Sequence, residues 1–257
     1  MKSSIHPTAI IEPGAQLGEG CVIHAGAIIK AHAVLGDQVA VHPYAVVGGD
    51  PQILKFDASA TTRALVGSGT IIREYATINR AMKSGCDTVV GAHCLLMACS
   101  HVGHDSVVGS HVVVANSVLI AGHVTVQDYA VLGGGSAYHQ FTRIGEGAII
   151  GGVARITQDI PPFVMAAERD DVAGLNLVGL RRRGVPRETI KELKEAFRTV
   201  YFTKGNIRAL SAQALASGQF PSAEARRFLE FMAGGSRGIA RAARPELPSA
   251  DDADHAA

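Results

Sequence analysis

The sequence predicts an all-β solenoid, a three-sided prism of short parallel strands over residues 1–162, followed by a small α-helical C-terminal domain. Three observations predict it. Aliphatic residues fall on every sixth position, at Ile5, Ile11, Leu17, Ile23, Ile29, Leu35, Val41 and Val47, and again from Val90 to Ile156, where Tyr138 is the one aromatic in the series. A small or branched residue follows four places after nearly every one of them, as at Ala27, Ala45, Ser100, Ala130 and Ala154. Past Pro161 and Pro162 this spacing stops and helical spacing begins.

A period of six fits neither the 3.6-residue turn of a helix nor the two-residue alternation of a simple strand. It does fit a coil in which each unit supplies one short strand with its aliphatic residue inward, while the small residue lets the chain turn the corner. Three units close one coil of 18 residues. Strand spacing of about 4.8 Å then puts residues 18 apart directly above one another, and the recognisable units make about eight coils, roughly 35 to 40 Å of prism.

Two stretches interrupt the pattern, residues 48–65 (GGDPQILKFDASATTRAL) and 79–89 (NRAMKSGCDTV). Insertions in solenoids loop out on one face, often the binding face. Residues 163–185 read as a connecting segment, and 186–244 as the helical domain. Its first helix over 187–203 opens after Pro186 with Ile190, Leu193, Phe197, Val200 and Tyr201 on one face, and further helices are expected at 206–217 and 222–233, the latter capped by Ser222. The tail from 245 to 257 is polar and expected to be disordered.

Composition excludes several classes. Lys+Arg 24 against Asp+Glu 23 argues against a nucleic-acid binder, which concentrates basic charge on one face. No apolar run approaches the ~18 residues of a membrane span, and the N-terminus lacks a signal-peptide core. Cys21, Cys86, Cys94 and Cys99 form no C-x-x-C pair, so they read as reduced thiols of a soluble cytoplasmic protein.

Among the 11 histidines, His6, His24 and His42, like His93 and His111, are spaced 18 apart and should form solvated outward ladders. His101, His104, His123 and His139 instead converge through stacking, with Gly122 one coil above His104 and Gln140 one coil further. No H-x4-H pair follows His139, since Ile144 stands five residues on, and no metal or cofactor is expected. The other chemistry that suits the cluster is acyl transfer, in which a neutral imidazole removes the proton of a hydroxyl as it attacks a thioester. Asp105 would support the imidazolium, and the backbone of Gly122 would approach a developing oxyanion unhindered.

The hexad pattern resembles the hexapeptide-repeat, left-handed parallel β-helix proteins, and the left hand is taken from that resemblance. The stretches HPTAI, PQILKF, LLMACSHVGHDSVVG, IAGHVTV, AYHQF, QDIPPFV and GLNLVGLRRRG narrow it to the acyl-carrier-protein-dependent UDP-N-acetylglucosamine O-acyltransferases that begin lipid A synthesis. The repeat begins at residue 5, so the N-terminal uridine-binding domain of the related N-acyltransferases is not expected here.

The resemblance implies that His104 is the general base on the glucosamine 3-hydroxyl, with Asp105 supporting it and Gly122 offering its amide to the oxyanion. It implies that His101, His123, His139 and Gln140 line the sugar and acyl pocket, and that Gln52 and Lys55 contact substrate from the first insertion. Asn176, Arg182 and Arg183 match residues that hold the nucleotide, although on their own the arginines read equally well as a solvated basic turn. Gly152 matches a position where a bulkier residue shortens the acyl pocket, so a longer 3-hydroxyacyl chain is expected.

A homotrimer is implied too, covering the apolar surface around Val113, Val131 and Ile149. Arg181, Arg187, Lys191, Lys194 and Arg198 could dock an acidic carrier protein, but Glu188, Glu192 and Glu195 lie among them, so a solvated mixed-charge face is the plainer reading. Two other functions fit the same fold: a paralogue acting on a modified UDP-sugar, such as a 3-amino sugar, and a non-catalytic structural trimer. The register of His104, Asp105 and Gly122 argues against the latter.

Overall fold

The computed structural model describes residues 2–242, so the expectation for the 245–257 tail lies outside the described residues. Between Ser4 and Ile156 the chain forms 23 strands of two to four residues. They wind into three parallel sheets of eleven, eight and seven strands, the first including three strands that lie past the last coil. The register is the one the period demands: His101 pairs with Leu119, Leu119 with Ala137 and Ala137 with Arg155. Where the insertions fall the coil lengthens but the ladder continues, so that Thr77 lies beside His101 and Val34 beside Leu65.

Each wall is pleated, so adjacent residues of a strand face opposite ways. The inward aliphatic positions from Ile23 onward fill the core, and so do the small residues four places later, including Cys21, Ser100, Ser106, Ser136 and Thr142. Ile5, Ile11 and Leu17 in the first coil are less buried, Ile5 at 49% exposed, because that coil has a neighbour on one side only. The residue just before each small one takes a left-handed backbone in most coils, and many of these are not glycine: Tyr44, His93, Asp105, His111, His123 and Tyr129 all have positive φ. Such a conformation costs a side chain about 1 kcal/mol or more. Stacking of successive rings offsets it by about 0.5–1.5 kcal/mol per pair. The expected ladders are present, with ring centroids 4.6 Å apart for His24 and His42, 5.2 Å for His93 and His111, and 4.8 Å for His111 and Tyr129.

The segment read as a connection contains structure of its own. Val164–Ala167 adds a parallel rung, Asp171–Leu175 folds back antiparallel, and Arg241–Ala242 pairs beyond it, covering the open sheet edge. Four helices are present among the described residues: α1 (Leu177–Arg182), α2 (Arg187–Phe202), α3 (Ile207–Ser217) and α4 (Ala223–Ala233). The Ser222 hydroxyl caps α4 by accepting from Ala225 N, as expected. The helical domain is tied to the prism by Arg143, which pairs with buried Asp159 at 2.8 Å, stacks over Phe231 at 4.1 Å and donates to the carbonyls of Phe231 and Gly234.

Ile71 and Ile72 are neighbours on one strand, 39% and 0% exposed. Ile72→Ala should cost about 2–5 kcal/mol in denaturant unfolding. Ile71→Ala should stay within about 0.5 kcal/mol. Equal losses would contradict the inward and outward assignment.

Candidate active site

His104 and Asp105 sit at the corner that follows the strand His101–Val102. Asp105 adopts a left-handed backbone, and its N–H donates to Thr88 Oγ1 at 2.8 Å. That geometry folds its carboxylate back onto the adjacent imidazole, where Asp105 Oδ2 lies 2.7 Å from His104 Nδ1. The same oxygen accepts from Met82 N at 3.0 Å, so the second insertion holds the carboxylate from the other side. With Nδ1–H directed at Asp105, the lone pair of His104 is on Nε2.

His104 is 7% exposed, and its Nε2 edge faces Gly122. A Cβ at Gly122 would stand 2.6 Å from Nε2, so only glycine leaves the ring in place. The Gly122 amide has no acceptor among the described residues. One coil up from Asp105, the His123 N–H donates to His104 O at 2.9 Å, and its ring meets His104 edge-on at 5.1 Å. His123 is held by stacking on Phe141 at 4.6 Å, with its Nε2 3.9 Å from Asp105 Oδ2. His104, Asp105 and His123 thus offer three ligand atoms within 4.8 Å, but the short His104–Asp105 bond already uses one nitrogen and one oxygen.

A cleft of about 520 Å³ runs from this corner along the outside of one sheet. His101, His104, Gly122, His139, Gln140 and Gln52 all line it. His101 is oriented by Thr77, whose hydroxyl is 2.7 Å from Nδ1. Ile53 and Asn79 close the wall from the two insertions. Asn79 Nδ2 donates to Asp50 O at 2.9 Å, while its buried Oδ1 has no partner among the described residues. Buried Arg80 anchors the first insertion, donating to Asp50 Oδ1, Thr62 Oγ1 and the carbonyls of Ala58 and Ala60.

The remaining expected residues lie elsewhere on the chain. Lys55 is exposed on the first insertion, outside the cleft lining. His123 flanks Asp105 rather than the cleft. Gly152 is on another edge, where an added Cβ would meet only Gly134 O at 3.3 Å. Asn176, Arg182 and Arg183 belong to the third edge. Asn176 caps α1, its Oδ1 accepting from Gly179 N and its Nδ2 donating to Gly147 O. Arg183 stacks over Tyr129 at 4.3 Å and pairs with Glu146, whereas Arg182 is exposed. Thr77, Arg80, Met82, Thr88 and Phe141 were not anticipated. Phe141 was within reach, since it stands 18 residues after His123. The others depend on insertions whose path the period does not describe.

A parallel β-helix with an imidazole–carboxylate pair and an unpaired amide in one edge cleft defines an acyltransferase of the hexapeptide-repeat, left-handed β-helix class. A family model described as UDP-N-acetylglucosamine O-acyltransferase, domain 2, matches residues 159–240. Acyl-[acyl-carrier-protein]–UDP-N-acetylglucosamine O-acyltransferases of Burkholderia lata and Burkholderia mallei are 36% and 38% identical to the chain, covering 92% and 93% of it and 99% and 100% of their own lengths. The solved UDP-N-acetylglucosamine acyltransferase from Campylobacter jejuni superposes with a TM-score of 0.80 at 33% identity, covering 93% of this chain and 99% of that one. That from Bacteroides fragilis gives 0.79 at 33%, covering 93% and 98%. The chain belongs to the acyl-carrier-protein-dependent UDP-N-acetylglucosamine O-acyltransferase family.

Burial, reinforced by the charge of His104, holds the His101 imidazole below the usual histidine range. The unfolded chain therefore takes up that proton first as pH falls. Stability should decline once pH drops through about 6.5 and level off below the folded value. Melting temperatures between pH 8 and 5 should show this decline, with a shallower slope in His101→Asn. An unchanged slope would count against it.

Proposed function

We propose that the protein transfers a 3-hydroxyacyl group from acyl carrier protein to the 3-hydroxyl of UDP-N-acetylglucosamine, the first step of lipid A biosynthesis, in the cytoplasm. The observation that carries this reading is the His104 Nε2 edge facing the unpaired Gly122 amide inside the cleft. The names of the Burkholderia relatives support the two substrates. The four free cysteines agree with a reducing compartment, and among the described residues no helix is long and apolar enough to cross a membrane.

In this mechanism the sugar oxygen attacks the thioester carbonyl carbon while His104 Nε2 removes its proton. The carbonyl electrons move onto oxygen, and the Gly122 N–H stabilises that oxyanion. Asp105 keeps the ring oriented and balances the imidazolium. Collapse restores the carbonyl and breaks the C–S bond, and the departing sulfur takes the proton from His104. His101, His139, Gln140 and Gln52 line the cleft around the reacting groups, His123 braces Asp105, Lys55 contacts substrate from the first insertion, and Gly152 leaves room for a longer acyl chain.

The nucleotide side is assigned to Arg182 and Arg183, whose guanidinium groups suit a diphosphate, with Asn176 holding the start of the helix that carries Arg182. They occupy a different edge of the same chain from His104, so the complete site needs a second copy. A homotrimer packed through its walls supplies it, covering the outward column of Val113, Val131 and Ile149. The carrier protein docks in this reading at the groove that Arg181, Arg187, Lys191 and Lys194 line together with Val185 and Ile190.

A second reading, an acceptor with a 3-amino group, is favoured by Asn79 Oδ1 alone. A hydroxyl has one hydrogen, which His104 takes, while an amine has a second to donate to that orphaned oxygen.

With acyl-carrier-protein thioesters and UDP-N-acetylglucosamine, His104→Ala should lower kcat by about 10²–10⁴ with the fold intact, and Asp105→Asn should also reduce it. Product from His104→Ala at the wild-type rate would remove the general-base role. The 3-amino analogue in the same assay separates the two acceptors. Mixing inactive His104→Ala and Arg182→Ala/Arg183→Ala proteins, with subunit exchange, should restore part of the activity through mixed clefts. No recovery from exchanged trimers would place both groups in one subunit's site.

A further inference from the structure

The mechanism leaves two cations at the far end of the His104 cleft without a task. Arg155 lies three rungs above His101, through Leu119 and Ala137 in direct register, about 14 Å along the prism. Its exposed side chain lines the cleft and has no hydrogen bond or ion pair among the described residues. Arg237 reaches the same end from the segment after α4, donating Nη1 to Gln140 O at 2.8 Å and Nε to Thr157 O at 3.0 Å. Both carbonyls belong to residues that line the cleft, and Arg237 has no acidic partner among the described residues either.

The acids nearby do not neutralise the pair. Asp170 is buried and accepts from the Thr157 amide and hydroxyl and the Gln158 amide. Glu168 takes the Arg155 amide on its carbonyl, but its carboxylate forms no ion pair among the described residues. Between this cationic end and the imidazole, the floor is the apolar pair Leu119 and Ala137.

We propose that Arg155, assisted by Arg237, binds the phosphate of the donor's phosphopantetheine arm, an inference that rests on the acyl-transfer function proposed above. Guanidinium groups suit a phosphate by geometry and charge. The arm is two amide units with short alkyl links, the reach of four to five extended residues, or about 15 Å. A thioester carbonyl held at His104 and Gly122 therefore leaves its phosphate near Arg155. The acceptor's diphosphate also carries the right chemistry, but it is joined directly to the sugar, one ring from the reacting hydroxyl, and falls short of that end.

The test compares 3-hydroxyacyl pantetheine with 3-hydroxyacyl 4′-phosphopantetheine as donors, in turnover and in direct titration of the free thiols onto the protein. The wild type should favour the phosphorylated form by on the order of tenfold to a hundredfold. Arg155→Ala and Arg155→Gln should abolish that preference, and Arg155→Lys should keep part of it, with the KM for UDP-sugar unchanged throughout. Equal titration of both forms by the wild type, or a preference that survives in Arg155→Ala and Arg155→Gln, overturns the proposal. A rise in the KM for UDP-sugar with the donor preference intact assigns Arg155 to the acceptor and overturns it as well. Absence of turnover with the titration preference present would sink the acyl-transfer function while leaving the phosphate site standing.

Discussion

The parallel ladder between coils is the constraint on which everything else depends. Backbone N–H groups of one rung donate to the rung beside it, as His101 N does to Val118 O and Gly103 N to Ile120 O. These bonds fix the vertical register to within one residue. A one-residue slip would carry Val102 and Ile120 out of the core and His101 and Leu119 into it. Register is therefore held by burial as well as by hydrogen bonding, and His104 and Gly122 inherit a fixed separation from it. A site assembled from stacked corners needs no loop ordering to bring its parts together.

The insertions add what a regular coil cannot. A repeating corner presents one side chain per rung, which suffices to stack His123 over Asp105 and Phe141 over His123. Holding a carboxylate from a second direction requires a chain that leaves the prism, and the amide of Met82 does this. Arg80 pins the other insertion with its buried guanidinium, so that Gln52 and Ile53 stand over the cleft. Breaking a buried, multiply bonded cation costs several kcal/mol, enough to keep this insertion in one conformation. The two loops and the ladder together restrain His104 from three sides.

The prism also separates the candidate residues by edge. His104 and its neighbouring imidazoles gather on one edge and the Arg182 and Arg183 turn on another, while Gly152 occupies the third. The core of the slender prism is filled, largely with Val, Ile, Leu and Ala. Clefts can form only on the outside, between a wall and an insertion or between walls of neighbouring copies. The architecture thus favours sites divided among surfaces.

Much of this was legible in the chain itself. The spacing from Val90 to Ile156 determined the strands, their inward residues and the convergence of His101, His104, His139 and Gly122, because an 18-residue period converts sequence separation directly into height. It also separated the helical domain from the prism and marked the Ser222 cap. Only the tertiary structure decided the rest: that Thr77 orients His101, that Met82 and Thr88 hold Asp105, that Arg80 locks an insertion, and that residues 163–185 form a hairpin and a helix. Those contacts run through segments where the period is broken. Without a repeat to set height and direction, only the folded backbone determines which donor meets which acceptor.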